Sequence, residues 1–233
     1  MTGIILAAGK GTRLGLDIPK AMVEIAGKPL LSYVIDGMRR AEVRKIIVVV
    51  RHRQQIIKDY ISTCYPEIQC VPQGVLYGTA AALRVAMPLV DDSMVLAAFG
   101  DVLAYPNDIY RQVANGFQRE HGAIAIDCIG PGVEEKKGIV RLRPDTSVWH
   151  IDEELPRSGK MNNTGVFSFW KGILYEALHA VKRNRDGEYN MTSAINYIAQ
   201  RGRVNTVQYY GTVFDIGTPS KLYEARKFME ARR

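Results

Sequence analysis

Apolar runs of strand length alternate with amphipathic stretches through the first hundred residues. Ile4 to Ala8 and Ile46 to Val50 are unbroken apolar runs, the pattern of strands buried on both faces of a parallel sheet. Met94 to Phe99 repeats it, and Ile68 to Val71 reads as a short strand. Between them, Pro29 to Arg40 reads as a helix. Leu30, Val34 and Met38 recur at four-residue steps with Leu31 and Ile35 beside them, and a proline suits the first turn. Gln54 to Ile61 and Thr79 to Val85 are further helices, closed off near Pro66 and Pro88. Strand–helix–strand alternation implies parallel strands joined by right-handed crossovers.

After residue 101 the pattern changes. A helix is predicted at Ile109 to Arg119 and a strand at Ala123 to Ile129. Shorter strands follow at Gly138 to Leu142 and Val148 to Ile151, and a clear one at Gly165 to Phe169. Ile173 to Arg183 and Ser193 to Arg201 read as helices, and Val204 to Tyr209 as a strand. Pro219 to Ala231 is a last helix, with Thr218 as its cap and proline in its first turn. No repeat, low-complexity stretch or linker divides the chain. The expectation is an α/β protein: one Rossmann-like, three-layer domain over residues 1–233, with a mixed, mostly parallel central sheet.

Composition narrows the classes. Of 233 residues, 47% are hydrophobic and 24% charged, ordinary for a globular protein. No stretch reaches the roughly 18 apolar residues of a membrane span, and the first residues enter a strand without a leader pattern. A cytoplasmic protein without a membrane partner is expected. The three cysteines, Cys64, Cys70 and Cys128, form no disulfide framework, and the four histidines are scattered, which argues against a zinc-type site. The net charge is +7. Without a lysine/arginine block or a nucleic-acid motif, small anionic substrates explain it better than nucleic acid. Oligomeric state is not legible; a homo-oligomer is compatible with the sequence.

The chemistry gathers where the first strand ends. Residues 6–15 read Leu-Ala-Ala-Gly-Lys-Gly-Thr-Arg-Leu-Gly, followed by Pro19-Lys20. Gly9 and Gly11 let the backbone reach left-handed angles and offer bare N–H groups to a ligand. Arg13, Lys20 and Lys10 add positive charge, so the ligand predicted is a polyphosphate. The string is neither a Walker loop nor the Gly-x-Gly-x-x-Gly dinucleotide fingerprint, since Gly15 falls one place late. Downstream, Asp101 closes a buried strand and Asp215 closes another strand-like stretch in Phe214-Asp215-Ile216-Gly217. Taken alone, Asp101 could equally cap the next segment.

The string at residues 6–14, with Pro19-Lys20 and Gly27-Lys28-Pro29-Leu30, resembles the signature of the sugar-phosphate nucleotidyltransferases. The resemblance runs through nearly the whole chain. It implies a nucleotide-binding half over 1–101 and a sugar-phosphate-binding half over 102–233. It implies that Leu6, Ala7, Ala8, Gly9, Lys10, Gly11, Thr12 and Arg13 wrap the nucleotide. Gln73, Gly78 and Thr79, within Gln-Gly-Val-Leu-Tyr-Gly-Thr-Ala, would read the base. A glutamine amide offers donors and an acceptor to a uracil or thymine edge, although a plain loop glutamine reads the same way in sequence. Asp101 and Asp215 would hold Mg²⁺, which suits two carboxylates completed by phosphates and waters. Arg13, Lys20 and Asp101 would carry catalysis.

On the sugar side the resemblance implies Lys20, Gly138, Glu154, Asn163 and Thr164, with Asn162 a rival to Asn163. Leu155 stands where the family has a lysine; Lys160 or Arg157 could replace it, or the acceptor differs. Glu188 to Thr192 resembles another family segment, and Asn190 or Thr192 serves equally well as a helix cap. The activity implied is transfer of a nucleotidyl group from a nucleoside triphosphate, UTP or dTTP first, to a small phosphorylated acceptor, a sugar 1-phosphate. Rivals are a cytidylyltransferase for choline phosphate or another small phosphate, a guanylyltransferase, and a regulatory module that binds nucleotide without catalysis.

Overall fold

The computed structural model describes residues 1–11, 14–116, 121–128, 137–154 and 160–232, with residues 137 and 154 described through their backbone alone. The first predicted strand, β1 (Thr2–Ala7), is buried along its whole length. It runs parallel to β4 (Lys45–Val50) on one side and β6 (Met94–Phe99) on the other, and β5 (Gln69–Pro72) adds to β4 in parallel. The second half joins the same sheet through β11 (Met161–Trp170), which pairs with β6 antiparallel. Beyond it lie β8 (Gly122–Cys128), β9 (Lys137–Leu142), β10 (Val148–Glu154) and β12 (Val204–Gln208). Of the nine described strands in this sheet, β10 and β11 alone run against the others. The sheet is therefore mixed and mostly parallel.

Side chains alternate along β1, as the pleat requires. Ile4 and Leu6 enter a core formed with α3 (Thr79–Ala86), α5 (Lys171–Ala180) and α6 (Met191–Arg201). Ile5 and Ala7 enter a second core with α1 (Leu30–Arg40), α2 (Gln54–Cys64) and α4 (Ile109–Gly116). Helices cover both faces, giving the three layers. The periodic set Leu31, Val34, Ile35 and Met38 supplies the buried stripe of α1. Leu30 turns instead to a smaller cluster with Leu222 and Ala225 of α7 (Pro219–Glu230).

Several boundaries differ from the sequence reading. Helix α5 ends at Ala180, not Arg183. The Asn184 side chain accepts from the N–H groups of Asp186 and Glu188 at 3.0 and 2.9 Å, and such local bonds compete with helix. Strand β11 begins at Met161, ahead of the predicted Gly165. A register shift between Asn163 and Phe167 breaks its pairing with β8, and Gly165 takes φ 83° there. The predicted tail of α4 at 117–119, and Ile129 after β8, lie outside the described residues.

Three short strands were not predicted, and the strand-like stretch that ends at Asp215 gains one of them as its partner. β2 (Glu24–Ile25) pairs with β3 (Lys28–Pro29). β7 (Val102–Tyr105) pairs antiparallel with β13 (Thr212–Asp215), placing Asp215 opposite Val102. That two-stranded ribbon brings Asp215 next to the segment that follows Asp101. Among the described residues, no helix is long and apolar enough to cross a membrane.

Candidate active site

A cavity of about 530 Å³ opens beyond the carboxyl ends of β1, β4, β5 and β6, the edge where open α/β sheets bind ligands. Leu6, Ala8, Gly9 and Lys10 line it from the end of β1, and Gln73, Gly78 and Thr79 from the loop after β5. Ala7 does not reach it and packs into the core beneath. Gly11 takes the expected left-handed angle, φ 64°, with its Cα face against Lys20. Gly9 stays outside that region of backbone space. Thr12 and Arg13 lie outside the described residues.

Lys20, Asp101 and Asp215 meet in this cavity. The Lys20 ammonium stands 2.5 Å from Asp101 Oδ2 and 3.1 Å from Asp215 Oδ1. Asp101 follows β6 after one residue, Gly100, and the β7–β13 ribbon brings Asp215 beside it. Ile216 also donates its N–H to the Asp101 carbonyl. Burial opposes a charge on Lys20, but the two carboxylates outweigh it and hold its pKa above the ordinary lysine value. Burial, against the pull of Lys20 and helped by the Asp215 charge, pushes Asp101 above the usual carboxylate value. Two acids this close form a place for a cation, and here the cation is the ammonium.

Gln73 is buried, and its amide Nε2 donates to the carbonyls of Leu76 and Gly78 at 2.8 and 3.0 Å. Both donors are spent on the loop, so only its oxygen is left for a ligand. The loop is laced to the segment before α6: Tyr189 donates to Tyr77 O, Ala80 to Tyr189 O, and the Met191 N–H to Thr79 Oγ1. Gly78, at φ 105°, has Tyr189 backbone where a Cβ would sit. Only glycine fits that crossing.

A second cavity of about 250 Å³ adjoins the first and shares Thr79, Phe99, Glu188 and Asp215 with it. Gly138, Asn163 and Thr164 line it, as the resemblance implies. Asn163 Oδ1 accepts the Gly165 N–H at 3.1 Å, and Thr164 turns its hydroxyl to Ala125 O at 3.1 Å. Asn162 lines it too, buried, with Nδ2 bonded to Asp127 at 2.9 Å and Oδ1 without a described partner. Of the carboxylates described in this cavity, Glu153 is the one it does not share with the first. It accepts from Asn190 Nδ2 and from Thr192 Oγ1 at 3.1 Å. Glu154 ends β10, and its side chain lies outside the described residues, as do Leu155 and Arg157. Lys160 is described but lines neither cavity. Asn190 is also the cap of α6, accepting the Thr192 N–H at 2.9 Å.

The family profile described as Nucleotidyl transferase matches residues 2–232. The chain belongs to that family. Among nucleotidyl transferase relatives, it is 31% identical over 234 residues to the bifunctional protein GlmU of Methanocaldococcus jannaschii, covering 98% of this chain and 54% of that protein. It is also 31% identical over 236 residues to a bifunctional sugar-1-phosphate nucleotidylyltransferase/acetyltransferase of Sulfurisphaera tokodaii, covering 98% and 55%. The chain thus spans about half the length of these curated relatives. A UDP-glucose pyrophosphorylase solved with UDP-glucose has the same fold, at TM-score 0.87 and 21% identity over 100% of this chain and 99% of that one.

Within this nucleotidyl transferase fold, the lining residues of the first cavity that sequence reasoning did not single out include Arg51, Tyr77, Ala82 and Phe99. Arg51 directly follows β4, so the strand-end rule that singled out Asp101 would have found it. Glu153, which lines the second cavity, was not singled out, because nothing in a run of acids tells which of them faces a cavity.

Proposed function

We propose that this chain transfers a nucleotidyl group from a nucleoside triphosphate, UTP or dTTP, to a sugar 1-phosphate and releases pyrophosphate. The observation that carries the reading is the meeting of Lys20, Asp101 and Asp215 where two adjoining cavities share a wall. One cavity takes the nucleotide and the other the acceptor. The reacting phosphates then meet beside that cluster.

The two acids fit magnesium by the same observation, since they already converge on a cation. Among the described residues no third histidine, cysteine or acid joins them. That suits an ion whose remaining ligands are phosphate oxygens and waters. Bound there by Asp101 and Asp215, magnesium supplies charge neutralisation on the phosphates.

The acceptor phosphate is an anion near neutral pH, so no general base is required. Its oxygen bonds to the α-phosphorus as the bond from that phosphorus to the pyrophosphate oxygen breaks in line. The chain's contribution is positioning and charge. Lys20 offsets the repulsion between the incoming anion and the α-phosphate. Loop amides after β1 hold the outer phosphates, with Lys10 at the cavity wall. Glu153 and Asn163 orient the sugar hydroxyls.

The test is pyrophosphate release with four nucleoside triphosphates against several sugar 1-phosphates and choline phosphate. Release with UTP or dTTP and a sugar 1-phosphate is the expected result. Release confined to CTP with choline phosphate, or nucleotide binding with no release at all, would overturn it.

A further inference from the structure

The nucleotide cavity holds a cation that the mechanism above leaves without a task. Arg51 faces the cavity from the end of β4. Its guanidinium lies over the Tyr77 ring, 3.4 Å from the centroid, and Nη1 donates to Leu76 O at 3.3 Å. A guanidinium stacked on a ring keeps its remaining N–H donors in its own plane, directed outward.

Gln73 stands beside it. Its amide donates to that same Leu76 carbonyl and to the Gly78 carbonyl. Arg51 and the Gln73 amide thus share the Leu76 carbonyl, and the amide also reaches the Gly78 carbonyl. What Gln73 keeps for a ligand is an acceptor. The Gly78 N–H is a donor that no described residue accepts from. Followed along these shared carbonyls, the groups run Arg51 as donor, Gln73 as acceptor and Gly78 as donor.

We propose that Arg51 is a base-reading residue, completing with Gln73 and Gly78 a set complementary to carbonyl, N–H, carbonyl. Uracil and thymine present that imide edge. Cytosine presents an amino group and a bare ring nitrogen instead, and adenine likewise pairs an amino group with a bare nitrogen. Guanine has the N–H but an amino group in place of the second carbonyl. A site whose buried polar groups are left unpaired by the wrong base rejects it strongly. The fold itself does not choose the base, since solved structures sharing it carry UDP-glucose in one case and GMP-PN in another. This inference rests on reading the first cavity as the nucleotide site.

Arg51→Met keeps an apolar stem over Tyr77 and removes every donor. Dissociation constants for UTP, dTTP, CTP and ATP are measured by calorimetry with Mg²⁺ on the native and variant chains. The native protein is expected to prefer UTP and dTTP, and the variant to lose roughly ten- to a hundredfold of that affinity while CTP and ATP hold. Arg51→Gln, neutral but still a donor, should keep part of the preference, where a role of charge alone would lose it all. Equal loss for all four nucleotides, as from a phosphate contact or a collapsed loop, would overturn the assignment. So would an unchanged preference. A native chain that binds no nucleotide would sink the cavity reading itself, a result distinct from either.

Discussion

The Lys20 ammonium donates to the Asp215 carboxylate at 3.1 Å across 195 positions of chain. The contact is made possible by the ribbon of β7 and β13, which seats Asp215 opposite the residue after Asp101. One lysine from the first loop thus bridges acids from the middle and the end of the sequence. Most of the chemistry proposed here depends on that junction.

Lys20→Ala should leave the fold intact and lower turnover by on the order of 10²–10³, the usual cost of one transition-state charge contact. Circular dichroism and pyrophosphate release check the two halves of that statement. The same variant should bind Mn²⁺ more tightly than the native chain when nucleotide is absent. The two carboxylates lose their resident cation, and the change is readable by paramagnetic resonance.

Chelation should abolish pyrophosphate release, and added Mg²⁺ should restore it. Asp101→Asn and Asp215→Asn should each raise the Mg²⁺ concentration needed for half-maximal release, because each removes one of two anionic ligands. A variant with the native Mg²⁺ requirement would remove that carboxylate from the metal site.

Glu153→Gln should raise KM for the acceptor and leave nucleotide affinity unchanged. Glu153 lines the second cavity and not the first. Steady-state kinetics with each substrate varied in turn separates the two effects. A change in nucleotide affinity of equal size would mean that Glu153 acts by tethering Asn190 and Thr192.

Gly78→Ala should abolish nucleotide binding while much of the core survives. The added methyl has no room beside the Tyr189 backbone, and φ 105° is strained for any L side chain. The loop and the segment before α6 must then separate. Calorimetry with UTP and a thermal melt check the outcome.

Acid stability should depend on Asp92. The Thr2 hydroxyl donates to it at 2.8 Å, and the Met1 ammonium pairs with it at 3.0 Å. These contacts hold its carboxyl below the ordinary value, against a small opposing effect of burial. A depressed folded pKa means stability present above the unfolded pKa, near 3.9, and lost as pH falls through the folded one. Asp92→Asn should therefore lower the denaturation midpoint at pH 7 and narrow its gap to the native chain near pH 3. Urea melts at the two pH values give the comparison.

Much of the architecture was legible because it is local. An unbroken run such as Ile46 to Val50 can only be buried on both faces, and a four-residue stripe such as Leu30, Val34 and Met38 marks one side of a helix. The first loop and its lysine were legible for the same reason, as was the cap at Thr218, which accepts the Lys221 N–H. Less legible were features set by the path of a loop or by contacts distant in sequence. The amide of Gln73 offers donors and an acceptor in sequence, yet its donors are consumed by Leu76 and Gly78. Glu153 enters the second cavity beside Asn190 and Thr192, residues 37 and 39 positions away.

What the sequence determined by itself was the order of the main strands and helices, the glycine-rich, basic make-up of the first loop, and the family. Hydrophobic period and turn chemistry act over a few residues, and a short string records them in full. Only the tertiary structure decided that Asp101 and Asp215 share one cation, that Arg51 stands over Tyr77, and which side chains wall each cavity. Those outcomes follow from strand pairing and loop crossings over tens to hundreds of residues, where register and direction are settled by the packed whole.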